Sequence, residues 1–355
     1  MNYLRNAWYA AAWPDEIDNE LVARTFLNEP VVLYRDPEGH AVALADRCPH
    51  RFAPLSKGKI VEGSIQCPYH GLRFDTMGKC VHNYHGPIPK TAAVRAYPLL
   101  ERFGVVWIWM GDPDGADEAL LPEFSGFNGA MGWAVVRGYL SVHANYQLVT
   151  DNLLDLSHGQ FLHPFLTNPD SSDRARFRTE KIGSTVWAYN DFPAEPITKM
   201  AQLMWRSDSK VGDRRAHMRW DAPANLWLDV GVTECGRSPE EGLCMPAAHL
   251  LTPETELTSH YFWMVARNAM TDDEELSRTI QSRYDHAFRC EDEPMIAAIQ
   301  AGMGTTDLDS LDPIYMISDR AAGRARQILA TLIAQEQKGL VEPLARQPVL
   351  GGVVD

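Results

Sequence analysis

The chain has 355 residues, 45% of them hydrophobic and 23% charged, and a formal net charge of −14. At roughly 100–200 residues per domain this predicts two ordinary soluble domains. The acidity speaks against nucleic acid or an anionic membrane as partner, and no apolar run approaches the ~20 residues of a membrane span.

The polar and aromatic start, Asn2-Tyr3-Leu4-Arg5, is unlike a secretory signal, and its aromatics are expected to pack into the first domain. From about residue 20 to 110 the sequence reads as short strands between turns. Val31-Val32-Leu33-Tyr34, Ala41-Val42-Ala43-Leu44-Ala45 and Val105-Val106-Trp107-Ile108-Trp109 are the clearest strands, with turn formers at Asp36-Pro37-Glu38-Gly39 and Met77-Gly78. Helical periodicity is nearly absent, so residues 1–115 are expected to form a small all-β domain.

Within that domain, Cys48-Pro49-His50-Arg51 and Cys67-Pro68-Tyr69-His70 each offer one thiolate and one imidazole, placed on loops. The set suits a [2Fe–2S] centre with Cys48 and Cys67 on one iron and His50 and His70 on the other. Neutral imidazoles make the second iron easier to reduce than in a four-cysteine cluster. A tetrahedral zinc ion is the competing reading, but zinc sites usually pair Cys with Cys and His with His. The four remaining cysteines, Cys80, Cys235, Cys244 and Cys290, read as free thiols of a reducing cytoplasm.

The acidic, turn-rich Gly111-Asp112-Pro113-Asp114-Gly115-Ala116-Asp117 marks the boundary to a second domain over 116–355. There 145–163 is expected to be helical and 176–265 to hold alternating strands. Further helices are expected over 272–300 and 317–337. Strands flanked by helices predict an α+β domain on an antiparallel sheet of helix-grip type.

Asp155-Leu156-Ser157-His158 followed by His163-Pro164 places a carboxylate and two imidazoles together. On a regular helix Asp155 and His158 share a face, and His163 points about 140° away. Pro164 disfavours α geometry at His163, so the helix should end there and let the ring turn back. Two histidines and a carboxylate with open positions form the ligand set of non-haem Fe(II) oxygenases.

The two motifs together resemble the Rieske non-haem iron oxygenases, and specifically their terminal oxygenase subunits. Asp151-Asn152-Leu153-Leu154-Asp155-Leu156-Ser157-His158, Trp107-Ile108-Trp109-Met110-Gly111-Asp112-Pro113 and Trp8-Tyr9 are most similar to the vanillate and dicamba O-demethylase branch. The resemblance implies Asp292 as third iron ligand, with Glu291 and then Asp285 as competitors. Pro294, just beyond, is a departure that should kink the helix beside the ligand. It also implies that Asp155 bridges a catalytic histidine to a neighbour's cluster histidine, of the His70 type, within a head-to-tail homotrimer.

By the same resemblance, electrons from a separate reductase carrying FMN and a [2Fe–2S] cluster let the protein activate O2 and oxidise an aromatic substrate. Consistent with this, no Gly-x-Gly-x-x-Gly follows a strand. Oxidative O-demethylation of a methoxylated aromatic acid, giving a phenol and formaldehyde, is the leading reading. Methyl or ring hydroxylation of another aromatic carboxylate or sulfonate is the rival within the class. A non-catalytic Rieske electron carrier is the rival outside it, and it would need little beyond the first domain. His249 matches a substrate-contacting histidine of the branch, and Asp229 and Arg283 fall near other pocket positions. Met200, Met204 and Trp205 fit either a pocket wall or plain core.

Overall fold

The computed structural model describes residues 3–18, 20–127 and 132–340. Its contacts separate two units, one of Arg5–Leu121 with Thr252–Glu256, the other built on Pro122–Leu251 and the chain from Leu257.

The first unit is made of three small antiparallel sheets. Val22–Phe26, Glu29–Arg35 and Ala41–Ala45 form one, and the first two are joined by Leu27 and Asn28, both at positive φ. A two-residue turn of that kind matches the twist of the strands it joins. Lys59–Val61, Ser64–Gln66, Arg73–Phe74 and Cys80–His82 form a second sheet, and Trp8–Ala12, Val105–Trp109 and Leu99–Arg102 a third. Val32, Tyr34 and Leu44 of the first sheet and Ile65 and Phe74 of the second are fully buried in one core that also takes in Leu55, Cys48 and Cys67.

The second unit is built on an eight-stranded antiparallel sheet. Its main path runs Ala134–Val142, Ser259–Arg267, Ala247–Pro253, Asn225–Thr233, Val211–Asp221, Thr185–Pro196 and Arg176–Ile182. Every residue of Ser259–Arg267 is buried, as expected of a strand covered on both faces. Gly138 belongs to that arrangement: a Cβ there would lie 2.3 Å from the ring of Trp263 opposite it.

Helix α1 (Tyr146–Leu154) starts at an Asn145 cap. Helix α2 (Glu274–His286) starts at Asp273, whose carboxylate accepts from the Leu276 N–H. A π-helical turn over Ala287–Asp292 joins it to α3 (Glu293–Met303). Leu276, Ile280, Tyr284, Phe288, Asp292, Ile296 and Gln300 are buried along this tract. Tyr284 and Phe288 pack on Trp263, with ring centroids 6.2 and 5.5 Å apart. Helix α4 (Arg320–Gln337) is tied to α1 by Arg326, whose Nε lies 2.9 and 3.0 Å from the carboxylate oxygens of Asp151.

Two expectations change. The 145–163 segment is not one helix. At Asp155 the backbone leaves helical geometry (φ −112°, ψ 90°), because its carboxylate accepts from the Ser157 N–H and starts a fresh short turn. The chain through Pro294 is not sharply broken either. The missing N–H is absorbed by the wider turn, in which the Glu293 N–H reaches Phe288 O, five residues back. No helix among the described residues is long and apolar enough to cross a membrane.

Candidate active site

In the first unit, two loops of the same construction present the Cys and His side chains. The N–H four residues past each cysteine returns to its carbonyl: Phe52 to Cys48 at 2.9 Å, Gly71 to Cys67 at 3.2 Å. Each cysteine N–H in turn reaches the carbonyl five residues on, Ala53 at 2.9 Å and Leu72 at 2.8 Å. The closing residue has positive φ both times, 61° at Phe52 and 78° at Gly71. A Cβ at Gly71 would also meet the Tyr84 ring at 2.8 Å, so glycine is required there.

The two thiols lie inside and adjacent, and burial pushes the Cys48 thiol up to about 11. The two imidazoles lie outside, with centroids of His50 and His70 4.5 Å apart. One tetrahedral ion at about 2.0–2.3 Å from its ligands would draw all four donors within about 4 Å of one another. These four do not form such a set. Among the described residues, the group of metal-binding side chains drawn within 4.8 Å of one another is His158, His163 and Asp292, in the second unit. A sulfur pair inside and an imidazole pair outside fit two irons side by side. Bound metal would strip the buried thiols of their protons.

The second unit brings its three residues together from two distant parts of the chain. His158 ends the short turn Leu156–His158, and His163 closes the next turn with its N–H on Gly159 O. Their rings stand 5.1 Å apart at 80°. Asp292 ends the π-helical turn, and its Oδ1 lies 3.5 Å from His158 Nε2 and 3.2 Å from His163 Nε2.

Behind each ring, Nδ1 is engaged: on the Asp155 carbonyl at 2.6 Å for His158, and on Glu291 Oε2 at 2.7 Å for His163. Bonds of that kind fix a proton on Nδ1 and leave the Nε2 lone pair for a metal. Burial holds His158 below the usual imidazole range. Burial pulls His163 the same way, but the carboxylates of Asp292 and Glu291 outweigh it and the net shift is upward. Asn152, on α1, donates to Asp292 Oδ1 at 3.3 Å. Sequence reading gave Asn152 no role and took Glu291 only as a rival ligand. Asp285 pairs with Arg289 instead, at 3.3 Å.

The three residues open onto an apolar cavity, partly open to solvent, walled by Met200, Met218, Leu228, Val232, Leu243 and Met245. His249 lines it, with Nδ1 2.7 Å from the buried Tyr261 hydroxyl and Nε2 without a partner among the described residues. Burial lowers His249 to about 3, so its ring is neutral, and Tyr261 is held far above its usual range. A neutral ring and a neutral hydroxyl share one proton between Nδ1 and the Tyr261 oxygen, and when Tyr261 donates it, Nε2 carries the ring proton toward the cavity.

Asp229 and Arg283 are not among the lining residues. Leu228, Val230 and Val232 face the cavity, and strand alternation turns Asp229 to the other face, where Arg215 Nε pairs with it at 2.8 Å. Arg283 is exposed and stacks on Phe165, 4.3 Å from the ring centroid. Met204 and Trp205 lie off the cavity as well.

Both parts of the chain match known families. The Rieske [2Fe-2S] domain profile matches residues 7–98, and that of the vanillate O-demethylase oxygenase C-terminal domain matches 142–335. The chain is 37% identical over 335 residues to the oxygenase component of dicamba O-demethylase from Stenotrophomonas maltophilia, covering 94% of this chain and 98% of that one. It is 38% identical over 337 residues to the oxygenase component of chloroacetanilide N-alkylformylase from Rhizorhabdus wittichii, covering 94% and 97%. The crystal structure of dicamba monooxygenase bound to 3,6 dichlorosalicylic acid superposes with a TM-score of 0.90 at 36% identity, covering 95% and 99%.

The chain belongs to the Rieske non-haem iron oxygenases. It is a terminal oxygenase component, an oxidoreductase whose cofactors are a Rieske [2Fe–2S] cluster and a mononuclear non-haem iron.

Proposed function

We propose that the protein removes an alkyl group oxidatively from an aromatic substrate, with O-demethylation of a methoxyarene as the leading case. The observation that carries this reading is the His158–His163–Asp292 group opening onto a deep apolar cavity. When bound, the cluster supplies electrons singly and the mononuclear iron supplies the site of O2 reduction. The overall change takes the methoxyarene, O2, two electrons and two protons to the phenol, formaldehyde and water.

In this reading Cys48 and Cys67 hold one iron of the cluster and His50 and His70 the other. His158, His163 and Asp292 would hold the catalytic iron, with the cavity beside them for O2 and substrate. The methionine and aliphatic walls exclude water and seat the ring with its alkyl carbon at the iron. His249 Nε2–H donates to an oxygen of the substrate, steadied by Tyr261. Asp155 links His158 to a cluster histidine of a neighbouring subunit in a homotrimer. A separate reductase with FMN and a [2Fe–2S] cluster delivers the electrons, in the cytoplasm. The functional boundary falls near residue 115, between a Rieske domain and a catalytic domain.

The relatives divide between the readings: dicamba and vanillate O-demethylase support O-demethylation, chloroacetanilide N-alkylformylase supports a reaction at an N-alkyl group, and toluene-4-sulfonate monooxygenase, 36% identical over 352 residues, supports the rival on a sulfonate. The test uses iron-loaded protein, a surrogate reductase and NADH, with O2 uptake and formaldehyde followed together over methoxyarenes, N-alkyl anilides and methylbenzenesulfonates. Formaldehyde stoichiometric with O2 from a methoxyarene establishes the reading. Oxidation without any aldehyde moves the reaction to methyl or ring hydroxylation.

A further inference from the structure

Resting on that oxygenase reading, we propose that the cavity selects an uncharged substrate, and that Glu195 sets this selectivity by neutralising Arg214, the arginine in the cavity wall. The substrate class is then a neutral aryl ether, ester or anilide with an oxygen acceptor for His249, rather than an aromatic carboxylate or sulfonate.

Arg214 is the one Lys or Arg among the described residues lining the cavity, and so the natural counter-charge for a bound acid. It is already taken. Its Nε lies 2.5 Å from Glu195 Oε2 and its Nη2 3.3 Å from Oε1. Glu195 is 1% exposed and also accepts from the Ser171 hydroxyl, while the guanidinium lies 3.7 Å over the Phe192 ring. The Nε and Nη2 side of the fork is thus held by the carboxylate, and the pair carries no net charge.

The other polar groups add no positive charge away from the metal end. His249 is neutral and offers a single donor. Asn190 spends its amide on Ala216 O, and Thr198 accepts from the Ala201 N–H. An iron held by His158, His163 and Asp292 would have its charge opposed by the Asp292 carboxylate and would face the reacting alkyl carbon, and so would not serve as counter-charge for an acid group elsewhere on the ring. A buried anion without a partner is strongly disfavoured, whereas a carbonyl or ether oxygen needs only one donor. This is a different charge class from the aromatic acid implied by family resemblance, and the Arg214–Glu195 pair is the reason for the difference.

The test compares a methoxybenzoate with its methyl ester and its primary amide on the iron-loaded enzyme. Affinity is read by equilibrium dialysis and turnover by formaldehyde. Ester and amide are expected to bind on the order of tenfold or more tightly than the acid, the scale of one charge-assisted hydrogen bond. Glu195→Gln keeps the shape and the Ser171 contact but uncovers the Arg214 charge, and should shift the ratio toward the acid by a similar factor. The proposal is overturned if the wild-type enzyme binds the acid as well as its neutral partners, or if Glu195→Gln leaves the ratio unchanged. Selective binding of the neutral compounds with no product from any of them would fault the dealkylation reading and still uphold this one.

Discussion

Replacing Glu291 separates a ligand from a residue that steers a ligand. Its Oε2 lies 2.7 Å from His163 Nδ1, while Asp292 Oδ1 faces the same ring from the Nε2 side at 3.2 Å. The His163 side chain is 8% exposed and that of Glu291 22%, so the contact is shielded from water. Loss of such an outer partner typically weakens metal affinity by about 10–100-fold, or about 1.4–2.7 kcal/mol. Glu291→Gln keeps an acceptor and should fall near tenfold; Glu291→Ala should approach a hundredfold. The assay is competition for Fe(II) against a chelator on apo-mononuclear protein, with the cluster absorption as internal control. Unchanged affinity in both variants would refute the steering role. Complete loss, equal to that of Asp292→Ala, would put Glu291 in the ligand set itself.

His158→Ala should lose mononuclear iron and turnover while the cluster spectrum stays intact, as metal analysis and absorption will show. Asp155→Asn should retain both metals yet lose turnover, because Asn keeps the Ser157 cap and removes the charge of the proposed bridge; retained turnover would end that assignment. Iron affinity should also depend on pH. His163 is held above the usual imidazole value, so on acidification it takes up its proton first, and iron must displace that proton. Affinity should be flat at alkaline pH and fall by about tenfold per unit below that pKa. A flat profile down to weakly acidic pH would contradict the shift.

What the sequence revealed follows from how local each feature is. The two Cys–His loops were legible because their cysteines, histidines and turn residues lie within a few positions, from Cys48 to Ala53 and from Cys67 to Leu72. The strands at 31–34, 41–45 and 105–109 stood out through continuous apolar runs, and the structure has strands there. The break at Asp155 was missed because a carboxylate bonding its own backbone competes with helix only once the fold supplies a reason to turn. The π-helical turn was not legible in the sequence; the structure shows it in burial that recurs every four residues from Leu276 to Gln300, with Ala287 buried besides. That period is longer than the 3.6 of an α-helix and calls for local unwinding. Asp229 shows the parity problem of strands, where a one-residue slip changes the face. Arg214 and Glu195 pair across adjacent strands, and nothing in their own neighbourhoods announces the contact.

The most direct test of the central claim is a single turnover without reductase. The protein is loaded with iron, its cluster reduced chemically, the reductant removed, and substrate and O2 admitted. The account predicts that cluster oxidation and product appear together, in proportion to occupied iron sites, and that His158→Ala yields no product. Cluster reoxidation with no product from a substrate that binds would contradict it and leave the chain an electron carrier.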